Sequence, residues 1–249
     1  DVYKRQGAIL VVCSHFLAVR KDERVEQVEK LLANSNCGGC GKAGCAQFAE
    51  ALVKGEVKLS DCRATPTANK EKIAKILGGG EVGEETVAVV HCNGGNACFD
   101  KYDYQGYGNC ASCELIAGGV KACPVGCIGK KTCVDVCPHH AISVEDGGYA
   151  VVDKEKCISC GVCISDCPKH IIGRIPKSAK VYIACSNHGK GKDVMELCKR
   201  GCIGCGICAK NCPVGAIEMK NGLPEIDYSK CIGCKKCAEK CPRQCIKEH

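Results

Sequence analysis

Apolar positions along the chain change their spacing several times, and each change predicts a different element. Residues 7–19 (GAILVVCSHFLAV) are almost continuously apolar, broken by Ser14 and His15. From 22 to 33, Val25, Val28, Leu31 and Leu32 recur at the interval of an amphipathic helix. Residues 45–53 predict a second short helix with Phe48, Ala49 and Leu52 on one side, and residues 69–77 a third. Gly78 is placed to end that third helix, because glycine enters the left-handed conformation of a C-cap without strain. Residues 86–90 (TVAVV) predict a short strand. Residues 92–122 are rich in Gly, Asn, Tyr and Asp and show no period, so something other than an apolar core is expected to order them. Beyond that point three apolar pairs follow Cys-Pro steps: Ala141-Ile142, Ile171-Ile172 and Ala216-Ile217.

The C-terminal half is an internal repeat of cysteines. Cys157, Cys160, Cys163 and Cys167 are spaced C-x2-C-x2-C-x3-C and followed by Pro168. Cys202, Cys205, Cys208 and Cys212 with Pro213, and Cys231, Cys234, Cys237 and Cys241 with Pro242, repeat the pattern. Cys123, Cys127, Cys133 and Cys137 with Pro138 read as a stretched fourth copy. Asp153 and Asp227 each stand four residues before the first cysteine of the following copy, which groups the copies as two pairs, 123–167 and 202–241. Each pair is about the size of one small two-cluster domain.

Composition sharpens the chemistry. The 249 residues include 28 cysteines, no Trp and only 4 % aromatics, so large apolar side chains are scarce. That cysteine content fits a disulfide scaffold, a zinc protein or an iron–sulfur protein. Spacing separates them. A cubane presents four iron corners, and C-x2-C-x2-C wraps a tight loop around three. The fourth cysteine lies past the reach of that loop, and in two-cluster ferredoxins it ligates the other cluster. Zinc sites pair cysteines two by two across a long spacer. Cysteines separated by two residues bridge poorly as disulfides.

Crossing the fourth cysteines predicts four [4Fe–4S] sites. Cys123, Cys127 and Cys133 would join Cys167, and Cys157, Cys160 and Cys163 would join Cys137. Cys202, Cys205 and Cys208 would join Cys241, and Cys231, Cys234 and Cys237 would join Cys212. In the stretched copy Gly126 and Gly129 would permit an altered loop; the alternative is a copy that has lost its cluster. A fifth site is predicted from Cys37, Cys40, Cys45 and Cys62, among Gly38, Gly39, Gly41 and Gly44. Cys45 opens a helix, whose positive end suits a thiolate; structural zinc is the alternative there. Cys92, Cys98, Cys110 and Cys113 are a candidate sixth site. Cys185, Cys198 and Cys245 read as buried thiols near cluster loops, and Cys13 as a residue of the apolar segment.

Charge changes little. The formal +7 suggests nucleic acid. Each oxidised cubane core carries about +2 against four thiolates, so five of them bring the balance to about −3. No basic stripe is interleaved with aromatics, and nucleic acid is excluded as a partner. Gly78, Gly80 and Gly83 match G-x-G-x-x-G, but after a helix rather than a strand, so a hinge is expected there. No nucleophile–base pair, phosphate loop or flavin fingerprint is visible, so no catalytic residue is assigned. His139 and His140 read as surface or packing residues, and Tyr102, Tyr104 and Tyr107 as local packing. Residues 7–19 are too short for a bilayer, which takes about 20 residues. They fit either a buried or interfacial helix or the cytoplasmic end of a membrane anchor, with Arg20, Lys21 and Arg24 following. Residues 1–6 match nothing that follows and are expected to be foreign.

An apolar start, then NCGGCGKAGCAQFAEALV with Cys62, then two ferredoxin pairs resembles the RnfB family. This is the iron–sulfur subunit of Rnf ion-translocating ferredoxin:NAD oxidoreductases, here in the clostridium-type form with two ferredoxin domains. CNGGNAC, YDYQGYGNC and the run from AGGVKAC to GCIGKKTCVDVCP resemble that form as well, and the likeness covers about residues 7–246. The four-cysteine domain also resembles one in corrinoid iron–sulfur proteins, which lack the tandem tail. Two features depart from the family: the short apolar segment, and Cys113.

The expected fold is α+β, with 1–19 as the remnant of a truncated N-terminal membrane helix. A small helical four-cysteine domain (20–80) and a connector (81–122) follow, then two bacterial ferredoxin-like two-cluster domains (123–178 and 179–249). The resemblance implies about five [4Fe–4S] clusters, or six with the candidate site. It also implies location at the cytoplasmic side of the cell membrane, other Rnf subunits as partners and reduced ferredoxin as electron donor. Rival readings are a soluble polyferredoxin, the iron–sulfur arm of another reductase or hydrogenase, and a metal-stabilised binding module without redox work.

Overall fold

The computed structural model describes residues 22–249. The apolar segment 7–19, with its expected membrane role, lies outside the described residues. Among the described residues no helix is long and apolar enough to cross a membrane.

Three helices build the N-terminal unit: α1 (Glu23–Leu31), α2 (Cys45–Val53) and α3 (Thr67–Leu77). Asp22 caps α1 by accepting the Arg24 N–H at 2.9 Å. Gly78 closes α3 at φ 76°, as its position predicts. The predicted apolar stripes meet: Val28, Leu32, Phe48, Ala49, Leu52, Leu59 and Ile73 form one core with Cys62.

Two units of the same design follow. The first holds β1 (Thr86–Val90), α4 (Cys110–Glu114), α5 (Thr132–Asp135), β2 (Ile142–Val144), β3 (Ala150–Val152), α6 (Val162–Ser165) and β4 (Ile172–Pro176). The second holds β5 (Val181–Ile183), α7 (Gly191–Leu197), α8 (Ile207–Lys210), β6 (Ile217–Lys220), β7 (Leu223–Ile226), α9 (Lys236–Glu239) and β8 (Ile246–Glu248). In each unit the first strand pairs antiparallel with the last, Val87 opposite Ile175 and Tyr182 opposite Lys247, while the middle strands form a hairpin. The pairing of β1 with β4 makes 86–90 part of the first ferredoxin unit, although the sequence placed it in the connector. Residues 91–126 are then an insertion after a first strand, and the shorter stretch 184–201 occupies the same place in the second unit.

Strand β1 is buried on both faces, which explains why TVAVV lacks alternation. Ala88 and Val90 face the first unit's core with Ile142, Val152 and Ile172. Val87 and Val89 face Ile175, Tyr182 and Ala184 in a core shared with the second unit. A fully buried valine contributes about 1.5–3 kcal/mol, so these few side chains hold the two units together.

All four cysteine loops share one backbone path. Gly129, Ser159, Gly204 and Gly233 have positive φ, and so do Lys131, Gly161, Gly206 and Lys235 two residues later. The short helices α5, α6, α8 and α9 begin at the next residue, and a third left-handed residue follows each Cys-Pro at His140, His170, Gly215 and Gln244. This superposition corrects the register of the fourth copy. It is not stretched: it begins at Cys127, runs C-x2-K-x2-C-x3-C, and carries Lys130 where the others carry Cys160, Cys205 and Cys234. Asp153 and Asp227 also have a backbone role. Their carboxylates accept the N–H groups of Glu155 and Ser229, and their carbonyls accept those of Cys157 and Cys231 at 3.0 Å.

Candidate iron–sulfur sites

The four N-terminal cysteines line one cavity of about 420 Å³. Cys45 is the first residue of α2, and its N–H donates to Asn36 Oδ1 at 2.8 Å. Cys62 is buried, with its sulfur 3.2 Å from Thr65 Oγ1. Cys160 reaches the rim of this cavity. A Cβ at Gly39 would lie 2.3 Å from the Cys160 carbonyl oxygen, so only glycine lets the two loops touch. Burial raises the Cys37 thiol pKa above its ordinary value, and the neighbouring sulfurs of Cys160, Cys62 and Cys45 add to the rise.

In the first ferredoxin unit Cys137, Cys157, Cys160 and Cys163 line a cavity of about 350 Å³, the grouping expected from the crossed pattern. Burial, then the charges of Cys157, Cys160 and Cys137, push the Cys163 thiol up to about 12. The second cavity of this unit, about 360 Å³, is lined by Cys127, Cys133, Cys167 and Cys110. Here the placement differs from expectation, since Cys110 stands where Cys123 was expected. The loop offers only Lys130 at its second ligand position, and the insertion brings α4 across to supply a thiol. Asn109 caps α4 by accepting the Ser112 N–H at 2.7 Å, and the Cys110 N–H donates to Thr132 Oγ1 at 2.9 Å. Lys130 turns away, its ammonium 5.3 Å from the Tyr104 ring centre. Burial, then the charges of Cys110, Cys163 and Cys167, push Cys133 up to about 12.

In the second unit, burial pushes Cys208 up to about 11, with further repulsion from Cys202, Cys241 and Cys205. These are the four expected at one site. Cys237 is raised by burial and by Cys231 and Cys234, while Cys212 packs against the core that holds Cys237. Cys212 Sγ accepts the Ala216 N–H at 3.3 Å, as Cys137 Sγ accepts the Ala141 N–H at 3.3 Å. Cys245 lies 3.5 Å from Cys241 Sγ and is 2 % exposed. It occupies the buried position that Ala141, Ile171 and Ala216 fill in the other copies, so it packs the core beside the ligands.

The candidate sixth group, Cys92, Cys98, Cys110 and Cys113, is not brought together. Cys110 belongs to the cavity just described, and Cys113 is fully buried with Val120 and Ile128 beside Tyr102 and Tyr104. Cys92 and Cys98 line a fourth cavity with Cys123, Cys127, Cys185 and Cys198. Tyr107 is 79 % exposed rather than packed. His140 is exposed at its left-handed turn, and His139 reaches only the rim of the Cys137 cavity. The equivalence of CPVGCIGKKTCVDVCP and CKRGCIGCGICAKNCP could have revealed both Lys130 and the role left open for Cys110.

The donor set fits cubanes. All 27 described cysteines are free thiols. Among the described residues no group of three or more His, Cys, Asp or Glu side chains is drawn together as for a single metal ion. The thiols stand around cavities, and burial with neighbouring sulfurs raises the Cys37, Cys133 and Cys163 thiols, so a cationic core between them would favour their thiolates.

Fold and sites together define an iron–sulfur protein made of a four-cysteine helical unit and two tandem two-cluster ferredoxin units. The Fe-S cluster family model matches residues 32–64, and the 4Fe-4S dicluster domain matches 125–171 and 201–245. The chain is 39 % identical over 227 residues to the RnfB protein of the ion-translocating oxidoreductase complex of Methanosarcina acetivorans, covering 90 % of this chain and 86 % of that one. It is 38 % identical to the corresponding protein of the Na(+)-translocating ferredoxin:NAD(+) oxidoreductase complex of Acetobacterium woodii, over 90 % of this chain and 68 % of that one. The proton-translocating counterpart of Clostridium ljungdahlii is 39 % identical over 90 % of this chain and 80 % of its own. The chain therefore belongs to the RnfB family of the ion-translocating oxidoreductase complexes, as its motifs implied.

Proposed function

We propose that this chain is the electron-relay subunit of a membrane-bound, ion-translocating ferredoxin:NAD oxidoreductase. It receives electrons from reduced ferredoxin at the cytoplasmic face and hands them to partner subunits of the complex, with residues 7–19 as the end of its anchor. Five sites would hold clusters: Cys37, Cys40, Cys45 and Cys62; Cys137, Cys157, Cys160 and Cys163; Cys110, Cys127, Cys133 and Cys167; Cys202, Cys205, Cys208 and Cys241; and Cys212, Cys231, Cys234 and Cys237. A [4Fe–4S] cluster supplies a one-electron carrier at each.

The observation that carries this reading is contiguity. The Cys37 loop rests on the Cys160 backbone through Gly39, so the first two sites share a wall. Cys163 of the second site acts on Cys133 of the third. The chain's own residues fix these intervals and bury Cys62, Cys163, Cys202, Cys208 and Cys237, leaving Cys205 and Cys234 exposed. In this reading the reduction of NAD takes place on another subunit of the complex.

The test is reconstitution in membranes lacking this subunit. Ferredoxin-dependent NAD reduction should be absent and should return when the anaerobically prepared chain is added. A rate that survives without it would rule out the relay role and favour a soluble polyferredoxin.

A further inference from the structure

We propose a sixth cluster site, held by Cys92, Cys98, Cys123 and Cys198, that joins the two ferredoxin units into one continuous row. The inference rests on the relay reading above, in which the third and fourth sites belong to different units.

The cavity these thiols line is about 380 Å³, within the 350–420 Å³ range of the three cavities assigned above. Cys98, Cys123 and Cys198 form a buried cluster of their own, each less than a tenth exposed. Cys98 and Cys198 face each other as an antiparallel bridge pair, so the insertion of the first unit and that of the second meet at this point. Gly94 lies at the centre. A Cβ there would come 3.2 Å from Cys198 Sγ, 3.4 Å from Cys98 Cβ and 3.6 Å from Cys92 Sγ. A larger side chain would fill the cavity.

Donors surround the sulfurs as they do in a cluster cradle. The buried Asn187 amide donates to Cys123 Sγ at 3.3 Å, and the Gly189 N–H holds the amide oxygen at 2.8 Å, which orients the nitrogen. The Cys127 N–H donates to Cys92 Sγ at 3.3 Å. Arg200 lines the cavity, and the Arg243 guanidinium donates to the Cys198 carbonyl at 2.6 Å. On binding, the four thiols would release four protons to solvent and hold a core of about +2, leaving a site of about −2 beside these two cations.

Placement assigns the purpose. Cys92 sits against Cys127, a ligand of the third site. On the other side Cys185 Sγ accepts the N–H of Cys202, a ligand of the fourth site, at 3.3 Å. The repeat explains the meeting. Cys123 and Cys198 each stand four residues before the first loop cysteine of their unit, and Cys92 and Cys185 each stand two residues after a first strand. Cys185 also lines the cavity, but the nearest atoms to the Gly94 Cβ position belong to Cys198, Cys98 and Cys92, and Cys185 Sγ is engaged by the Cys202 N–H, so we leave it out of the ligand set.

The experiment is anaerobic purification of the full chain with iron, sulfide and zinc analysis and EPR of the reduced protein. Six sites predict about 24 iron atoms per chain, and five predict about 20. Cys98→Ser and Cys198→Ser should each lose about four iron atoms and one reduced-cluster signal, while Cys185→Ser and Cys113→Ser retain all. Gly94→Val leaves every thiol in place and should lose the same four, which settles the matter if a cysteine variant fails to fold. About 20 iron atoms in the wild type, with or without one zinc, would overturn the sixth site while leaving the relay reading standing. Loss in Cys185→Ser with Cys98→Ser intact would overturn the ligand set. A chain without iron or sulfide would overturn both readings together.

Discussion

The two ferredoxin units share a backbone path but assemble their first loops differently. In the second unit Cys202, Cys205 and Cys208 all come from one turn of chain, with glycines at 204 and 206 to carry the left-handed residues. In the first unit the same turn is drawn by Gly129 and Lys131, and its middle position holds Lys130. The missing thiol arrives from Cys110, on a helix that the chain reaches only through an insertion. A local ligand costs no loop closure beyond the turn itself, whereas one brought from 17 positions away must be held by contacts of its own. Those contacts are present: the Asn109 cap, the Thr132 hydroxyl under the Cys110 N–H, and Lys130 over the Tyr104 ring. The comparison teaches that this loop tolerates loss of a cysteine because its conformation does not depend on that side chain.

The largest expected effect tests what the units have in common. Their cores are small and share their walls with cysteines, so removing iron with a chelator under anaerobic conditions should unfold both in one transition, seen as loss of the far-ultraviolet circular dichroism signal. Reloading should weaken as pH falls. Cys133 and Cys163 are pushed up to about 12 when iron-free, so each of their bonds to iron displaces a proton, and more iron is expected to bind in the first unit at pH 8 than at pH 6. Equal loading at both values would contradict thiolate ligation.

A more selective change separates the units. Cys110→Ser should remove about four iron atoms from the first unit and none from the second, because the other three ligands cannot close the site. Adding Lys130→Cys should restore them by returning the ligand to the turn, measured as iron per chain. Failure of that rescue, with the protein otherwise folded, would show that the equivalence of Lys130 and Cys205 is wrong. The smallest effect is expected from Asn109→Ala, which removes the cap of α4 at a cost of about 1 kcal/mol. Its signature is a lower denaturation midpoint with the iron content of the second unit untouched.

Much of this was legible in the chain itself. Three intact C-x2-C-x2-C-x3-C-P copies define cluster loops by spacing alone, because a cubane dictates the interval between its ligands. The helices at 23–31, 45–53 and 67–77 and the strand at 86–90 follow from apolar spacing and a glycine stop. What sequence order could not decide was which thiol meets which across the insertion. Cys110, Cys123 and Cys198 lie in aperiodic segments; comparing the two loops exposes the vacancy at Lys130 and the shared interval of Cys123 and Cys198, but not which distant thiol reaches which cavity. Only the tertiary structure brings them together, through β1 pairing with β4 and two insertions meeting at Cys98 and Cys198. Local spacing fixes a loop that closes on itself; a site assembled from distant segments exists only once the chain has packed.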